Sequence, residues 1–233
     1  EINKILNIEN LNKNFQLPGT KKLLKAVNDL SFDLKEGEIF GIAGESGSGK
    51  TTVANLLMGL LEANSGKISF INKEINQYLK NEKTNFRKNI QMVFQDPYGS
   101  LNPRKTIGTT LSLAIKIHFK LNEDETKNKV FELLEKVELT PPEVFYERHP
   151  HELSGGQQQR VAIARAISTE PKLIISDEAV ASLDMSIRSE ILKLLKKINL
   201  ETKVSMIMIS HDLSVLKNMC NRIAIMHLGK IVE

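Results

Sequence analysis

The sequence predicts an α/β fold built on a parallel sheet, with an antiparallel β subdomain at the N-terminus and an inserted α-helical subdomain. Short apolar runs that end in polar residues alternate with helical segments, which is typical of a parallel sheet with functional groups at the carboxyl ends of its strands. Residues 1–35 instead alternate apolar and polar positions, as antiparallel strands with one wet face do. Residues from about 100 to 150 have helical character and interrupt the strand–helix alternation.

Composition restricts the possible classes of protein. The chain has 233 residues, of which 41% are hydrophobic, and this fits one domain with an inserted subdomain. The single cysteine, Cys220, excludes a disulfide framework or a cysteine-based metal centre within this chain and favours a reducing cytoplasm. The net charge is +4, and only 7 of the 32 basic residues are arginine. Scattered lysines of this kind indicate a solvated surface rather than a nucleic-acid interface, and a surface near anionic lipid headgroups stays open.

The first elements follow from local patterns. Glu36 and Gly37 form a turn, and residues 38–44 form a short apolar strand that runs into glycines. Helical spacing follows over residues 49–61. Residues 65–75 predict a hairpin with its bend at Asn72 and Lys73, because asparagine tolerates left-handed conformations.

The middle of the chain combines one buried strand with helices. Residues 89–96 form the strand. Asn122 and Glu125 have the spacing of a capping box, and Pro141 with Pro142 ends the helix that it opens. The apolar face of that helix contains Val130, Leu133, Leu134 and Val137.

Three further apolar segments complete the predicted sheet. Residues 172–178 end in two acids, and residues 204–212 end in His-Asp. Residues 222–233 form two short strands around a glycine turn. The polar groups at the ends of these strands are therefore expected to lie at one edge of the sheet.

A phosphate-binding loop is the most specific motif. Residues 44–52, GESGSGKTT, match G-x-x-x-x-G-K-[ST] and lie between a predicted strand and helix. The glycines let backbone N–H groups surround a polyphosphate, Lys50 supplies a point charge, and the Thr51 hydroxyl can reach Mg²⁺. This motif predicts a P-loop NTPase core of the RecA-like kind.

Two other motifs complement the loop. In LIISDE, residues 173–178, Asp177 can hold Mg²⁺ through its water shell, and Glu178 can orient or deprotonate an attacking water. In LSGGQ, residues 153–157, Ser154 caps a helix whose glycines leave the first N–H groups bare, which makes a second anion site. Taken alone, an acid pair at a strand end or a Ser-Gly-Gly helix start would be unremarkable.

The order of these motifs resembles the ATP-binding subunit of an ABC transporter over nearly the whole chain. Gln95 ends a strand between the phosphate loop and LSGGQ, and His211 follows the acid pair. The resemblance implies a head-to-tail pair of such subunits with two ATP molecules sandwiched between them. The phosphate loop of one subunit would face the LSGGQ helix of the other, which would explain two anion sites in one chain.

The resemblance also implies residue roles, with ATP and Mg²⁺ as cofactors. Glu178, His211 and Gln95 would be catalytic, and Thr51, Gln95 and Asp177 would hold the metal. Phe15 would stack on adenine, with a core aromatic as the alternative. Ser154 and Gly156 would contact the opposite γ-phosphate, and Asp184 would cross the dimer interface. The full set implied to contact nucleotide is Phe15, Gly44, Glu45, Ser46, Gly47, Ser48, Gly49, Lys50, Thr51, Thr52, Gln95, Leu153, Ser154, Gly155, Gly156, Gln157 and Asp184.

Residues 1–233 are expected to form a single ABC ATPase domain. Residues 1–95 and 159–233 would form the ATP-binding core with its β subdomain, and residues 96–158 the helical signature subdomain. QDPYGSLNPR, residues 95–104, resembles ATPases of oligopeptide, dipeptide and nickel importers. The cargo, peptide or nickel and metal chelate, stays open, as does whether the natural chain continues past Glu233.

The resemblance implies a peripheral subunit at the cytoplasmic face of the plasma membrane. Its partners would be a second ATPase subunit, identical or different, and two transmembrane permeases, with a solute-binding protein acting indirectly and no nucleic acid. Tyr98 and Leu101 could hold a permease helix or belong to the subdomain core. The alternative is a soluble ABC ATPase acting on nucleic acid or ribosomes, but no long coiled coil or second cassette is present. A non-hydrolysing cassette would be expected to lack Lys50 or Glu178, and both are present.

Overall fold

A computed structural model describes residues 3–233, except for the side chain of Tyr98. Residues 1–2 of the predicted antiparallel region lie outside the described part. The elements in chain order are β1 (Lys4–Gln16), β2 (Leu23–Lys35), β3 (Ile39–Ala43), α1 (Lys50–Leu57), β4 (Ser65–Phe70), β5 (Lys73–Glu74), α2 (Ile75–Asn89), β6 (Ile90–Phe94), α3 (Pro97–Ser100), α4 (Ile107–His118), α5 (Glu123–Lys136), α6 (Pro142–Glu147), a 3₁₀ turn (Pro150–Glu152), α7 (Gly155–Ile167), β7 (Leu173–Asp177), α8 (Met185–Thr202), β8 (Ser205–Ser210), α9 (Leu213–Met219), β9 (Arg222–His227) and β10 (Lys230–Ile231).

The larger sheet has the strand order β10-β9-β3-β8-β7-β6. All neighbouring strands from β9 to β6 pair in parallel, and β10 pairs antiparallel with β9. The prediction of a parallel α/β sheet is therefore confirmed. The carboxyl ends of β3, β8, β7 and β6 lie side by side at one edge.

Both faces of this sheet are buried, and successive side chains alternate between two apolar cores. In β8, Met206 and Met208 pack with the helices α4 to α9, whereas Ile207 and Ile209 pack with α1 and the small sheet. In β7, Ile174 belongs to the first core and its neighbours to the second. Apolar residues at every position of a strand are what a sheet covered on both faces requires.

The N-terminal residues form a separate antiparallel sheet of order β2-β1-β4-β5, as predicted. The hairpin between β4 and β5 bends one residue earlier than predicted, at Ile71 and Asn72, which have φ values of 50° and 59°. The left-handed conformation is disfavoured for a β-branched residue such as Ile71. A prediction based on the tolerance of Asn72 therefore placed the bend one residue too late. The helix α2 was not predicted; its buried Tyr78 and Phe86 pack edge to face with each other and anchor it to this sheet.

Helices α4, α5 and α6 pack against one another and against α7 in one continuous apolar cluster. The predicted capping box opens α5: the Glu125 amide donates to Asn122 Oδ1 at 2.9 Å, and the Asn122 amide donates to the Glu125 carboxylate at 2.9 Å. The predicted boundary between residues 158 and 159 falls inside α7, which is one unbroken helix.

Cys220 lies at the end of α9, packed against Gly41 of β3. A Cβ at Gly41 would come within 2.9 Å of the Cys220 sulfur, so only glycine leaves room for the thiol. Burial raises the pKa of the Cys220 thiol to about 12. Over residues 3–233, none of the helices combines the length and apolarity needed to cross a bilayer.

Candidate functional site

A cleft of about 1040 Å³ opens at the carboxyl edge of the parallel sheet. The strand order places the loop after β3, the end of β8, the end of β7 and the end of β6 around it. It brings together the predicted residues Phe15, Gly44, Glu45, Ser46, Gly47, Gly49, Lys50, Thr51, Thr52, Gln95, Asp177, Glu178 and His211. Ser48 belongs to the same loop but is buried beneath it.

Backbone contacts with the turn between β9 and β10 and with β2 hold the loop between β3 and α1. The Gly229 amide donates to the Ser48 carbonyl at 3.0 Å. Gly49 has a φ of 103°, and a Cβ there would lie 2.2 Å from the Ala26 carbonyl oxygen. Glycine is therefore required at this position both by conformation and by space.

The Lys50 ammonium lies inside the loop. It donates to the carbonyls of Gly44 at 2.6 Å and Glu45 at 2.7 Å, and it lies 3.4 Å from Ser48 Oγ. Burial lowers the pKa of Lys50, while the charges of Glu178 and Asp177 act in the opposite direction. The loop thus holds a cation at its centre, where it can approach an anion bound by the surrounding amides.

Asp177 and Thr51 form a pair of oxygen ligands suited to a hard cation. Thr51 Oγ1 donates to Asp177 Oδ2 at 3.1 Å, whereas the buried Oδ1 has no hydrogen-bond partner. Burial raises the pKa of Asp177, and the nearby charge of Glu178 adds to this; the Thr51 hydrogen bond and the Lys50 charge partly offset it. An unsatisfied carboxylate oxygen beside a hydroxyl fits Mg²⁺, which takes oxygen ligands and relies on phosphates for the rest. Within the described chain, no three His, Cys, Asp or Glu side chains are grouped to hold a metal by themselves.

Glu178 and His211 are in direct contact. The His211 amide donates to Glu178 Oε1 at 2.9 Å, and the imidazole Nδ1 lies 3.0 Å from both carboxylate oxygens. Glu178 has a φ of 52°, a strained conformation for a non-glycine residue, and its amide donates to the Ile209 carbonyl at 3.0 Å. The turn after β7 is thereby fixed to β8, and the carboxylate is held at the cleft.

Gln95 and Phe15 both line the cleft. Gln95 is exposed just beyond β6, and its carbonyl accepts a hydrogen bond from Ser182 Oγ at 3.2 Å. The Phe15 ring is 36% exposed, with the Lys13 ammonium 5.3 Å from its centre. Phe15 is therefore an exposed aromatic and not a core aromatic, and Lys13 lies over one face of its ring.

The LSGGQ segment and Asp184 lie outside the cleft. Ser154 caps α7 by accepting from the Gln157 amide at 3.2 Å, and the Gln157 side chain accepts from the Ser154 amide at 3.0 Å. Ser154 and Asp184 are exposed, whereas Gly156 lies against α8, where a Cβ would come 2.6 Å from an Ile187 methyl. The second predicted anion site is therefore a separate, outward-facing surface.

Comparison with known proteins settles the family. The ABC transporter family profile matches residues 27–181. The chain belongs to the ABC transporter family. It is 43% identical over 237 residues to the oligopeptide transport ATP-binding protein OppF of Haemophilus influenzae, covering 98% of this chain and 71% of that protein. It is 40% identical to OppF of Bacillus subtilis, covering 99% of this chain and 75% of the relative.

Solved structures of ABC cassettes match the fold. The dimeric post-hydrolysis state of the ATP-binding cassette MJ0796, bound to ADP and Pi, superposes with a TM-score of 0.86 at 30% identity, covering 98% of this chain and 97% of that one. CbiO1 of Clostridium perfringens, part of the transporter complex CbiONQ, superposes with a TM-score of 0.87 at 32% identity, covering 100% and 88%. The predicted fold and the resemblance to ABC transporter ATPases are confirmed, and the chain is an ATPase of this family.

Sequence patterns alone missed several residues of the cassette. Leu24 lines the cleft because it pairs with Phe15 across the β1–β2 hairpin, and only the strand register places it there. Leu228 reaches the cleft from the turn between β9 and β10. Gln159 of α7 is fully buried and donates to the carbonyl of Phe94, at the end of β6, and to that of Ala179, two residues beyond β7. Its position beside LSGGQ was visible in the sequence, but its contacts were not.

Proposed function

We propose that this cassette binds ATP with Mg²⁺, pairs head to tail with a second cassette, and hydrolyses ATP to energise an importer of oligopeptides. The observation that carries the proposal is the separation of two anion-binding surfaces. The cleft contains the phosphate loop and the acids, whereas LSGGQ and Asp184 face outward elsewhere. Because neither surface can enclose a nucleotide alone, a second cassette would complete each site.

The cleft would bind the nucleotide along its length. Phe15 and Leu24 would contact the adenine, and the loop amides with Lys50 would hold the phosphates. Bound Mg²⁺ would neutralise charge that develops on the phosphates during transfer. Thr51, Asp177 and Gln95, which all lie at the cleft, would hold this ion.

Glu178 would act on the attacking water. Its carboxylate lies at the cleft and is oriented by the His211 amide, as a general base must be. An ionised carboxylate only accepts hydrogen bonds, so the Nδ1 contact requires a proton on that nitrogen of His211. His211 can donate to a γ-phosphate through Nε2 as well only as an imidazolium.

Pairing would be driven by nucleotide. The outward-facing Ser154 and the first amides of α7 would contact the γ-phosphate of the opposite ATP, and Asp184 would cross the interface. In this scheme residues 96–158 form the helical signature subdomain, while residues 1–95 and 159–233 form the ATP-binding core. Loss of the bridging γ-phosphate would let the pair open.

The permease contact would lie beside Gln95, on residues 96–115. Leu101 is 3% exposed and packs in the main apolar core, so it belongs to the subdomain interior and cannot hold a permease helix. The side chain of Tyr98 lies outside the described part. Leu113 within this segment and Phe94 just before Gln95 are exposed apolar side chains and are the candidates for this contact. The cassette would then sit peripherally at the cytoplasmic face of the plasma membrane, with a solute-binding protein acting only through the permeases.

The names of the relatives favour peptide over nickel as cargo. Proteins 40% to 43% identical to this cassette are described as oligopeptide transport ATP-binding proteins. The test is uptake of a labelled oligopeptide and of radiolabelled nickel by cells in which Glu178→Gln replaces the native cassette. Peptide uptake should fall with nickel uptake unchanged. Unchanged peptide uptake, or a loss confined to nickel, would refute the assignment.

A further inference from the structure

A buried glutamine connects the helix of LSGGQ to both catalytic strand ends. Gln159 of α7 has no exposed surface. Its amide Nε2 donates to the Ala179 carbonyl at 2.7 Å and to the Phe94 carbonyl at 3.2 Å. These two carbonyls adjoin Glu178 and Gln95, the residues that act on the water and the metal in the proposal above.

The glutamine extends the sheet beyond its last paired residues. Strands β6 and β7 pair in parallel up to Phe94 and Asp177, and Glu178 then leaves the sheet with a left-handed φ of 52°. Beyond that point the Gln159 amide joins the two segments. Together with the bond from Ser182 Oγ to the Gln95 carbonyl, it therefore fixes the spacing between the segment that carries Gln95 and the segment that carries Glu178.

The partners of Gln159 determine how its side-chain amide is oriented. Both partners are carbonyls, which only accept hydrogen bonds, so the NH₂ group must face them. The opposite atom, Gln159 Oε1, is buried without a hydrogen-bond partner. A buried acceptor without a partner is costly, so an apolar side chain of similar volume would serve packing alone at least as well. The two contacts therefore point to a positional role.

Gln159 lies five residues after Ser154 on the same unbroken helix, a distance of about 7–8 Å along the axis. A displacement at the start of α7 would move Gln159 as part of a rigid body. We infer that Gln159 is a positioning residue that transmits engagement of the LSGGQ face to Gln95 and Glu178 of the same chain. One cassette would thereby align its own catalytic groups when its signature surface binds the nucleotide of the other.

The test replaces the amide without changing volume. Gln159→Met removes both hydrogen bonds, and Gln159→Glu is a second variant that keeps the length but loses the NH₂ donors. The matched control is Asn199→Leu. Asn199 is a buried amide that donates to the carbonyls of Gly37 at 2.9 Å and Val204 at 2.7 Å, at the opposite edge of the sheet. Gln159→Met and Asn199→Leu each lose two bonds from a buried amide to carbonyls, so these two variants share that general cost to stability, whereas Gln159→Glu adds the cost of a buried carboxyl.

Steady-state ATPase rates, nucleotide Kd and melting temperature are measured for each purified cassette, with its partner cassette present. Gln159→Met and Gln159→Glu should lower kcat by about 10- to 100-fold, because misplacement of reacting groups by a fraction of an ångström has effects of this size. Their ADP affinity should stay within about twofold, while Asn199→Leu keeps kcat and loses only melting temperature.

The inference is overturned if both Gln159 variants that fold retain kcat, or if Asn199→Leu loses as much. It rests on the roles proposed for Gln95 and Glu178, which Glu178→Gln tests separately. If Glu178→Gln retains turnover, those roles fail. If Glu178→Gln loses turnover and the Gln159 variants do not, only the present inference fails.

Discussion

Asp177→Asn should stabilise the nucleotide-free cassette while abolishing its response to Mg²⁺. Asp177 is 9% exposed, and its Oδ1 has no hydrogen-bond partner. Burial and the charge of Glu178 raise the pKa of Asp177 above its ordinary value of 3.8. A carboxyl whose folded pKa is raised stabilises the fold only when protonated, so the ionised form present at neutral pH weakens it.

The magnitude follows from the contacts. Removing the charge from a buried carboxylate oxygen that has no hydrogen-bond partner should stabilise the fold by about 1–3 kcal/mol. Replacing the charge-assisted hydrogen bond of Thr51 with a neutral one should cost about 1 kcal/mol. The net gain is then about 0–2 kcal/mol, which corresponds to a rise in Tm of at most about 8 °C for a domain of this size. At 100 times Kd, bound Mg-ADP should add about 2.7 kcal/mol to the native cassette and little beyond the metal-free nucleotide effect to the variant.

The assay is thermal unfolding of both proteins with and without ADP, each with and without Mg²⁺. The order of stability should reverse: the variant melts higher without nucleotide, and the native cassette melts higher with Mg-ADP. A variant that melts lower without nucleotide would refute the argument from burial. An equal Mg²⁺-dependent gain in both proteins would refute the assignment of Asp177 to the metal.

Three other perturbations test separate parts of the molecule. Lys50→Ala should weaken ATP binding by about 10- to 100-fold in calorimetric titration, because the phosphates lose a charged donor. Arg222 donates to both carboxylate oxygens of the buried Glu38, at 2.6 and 3.0 Å. Burial alone would raise the pKa of Glu38, but these bonds, the Lys35 amide and the Arg222 charge outweigh it and lower the pKa below 4.5. Glu38→Gln should therefore cost about 2 kcal/mol in denaturant unfolding at neutral pH, and the difference should shrink as the pH falls below 4.5, where the native carboxylate becomes protonated. Finally, Glu178→Gln should form dimers with Mg-ATP in size exclusion with light scattering, and adding Ser154→Arg should prevent this; a tight dimer without nucleotide would contradict the sandwich.

The strands and motifs of the parallel sheet could be predicted because their signals are local. Apolar residues at consecutive positions predict burial on both faces, and the polar residue after each strand must then lie at the carboxyl edge. Lys50, Glu178 and His211 were therefore expected to meet, and they do. The capping box of α5 was equally visible, since it depends on two residues three positions apart, and Ser154 was expected to cap α7; that Gln157 completes a capping box there was not predicted.

What escaped prediction depends on contacts between distant parts of the chain. Helix α2 has a polar sequence, and tertiary packing of Tyr78 and Phe86 is what fixes it. Leu24 reaches the cleft only through the register of two 13-residue strands that contains several irregularities. Gln159 reads as one of three consecutive glutamines, and only the packing of α7 against the sheet distinguishes it from Gln158, which donates to Pro150 and Leu153 instead.

The reactivity of the Cys220 thiol, which packs against Gly41, can report local opening of the folded cassette. Cys220 is the only cysteine in the sequence, so any thiol modification is assigned without ambiguity. Because partial burial raises the pKa of the Cys220 thiol to about 12, the folded chain presents little reactive thiolate at neutral pH. Alkylation of the folded chain is therefore expected to be slow and to become faster when the contact between Cys220 and Gly41 opens. With no substitution in the chain, mass spectrometry of the alkylated Cys220 could follow that rate in the cell and compare idle cassettes with those engaged in turnover.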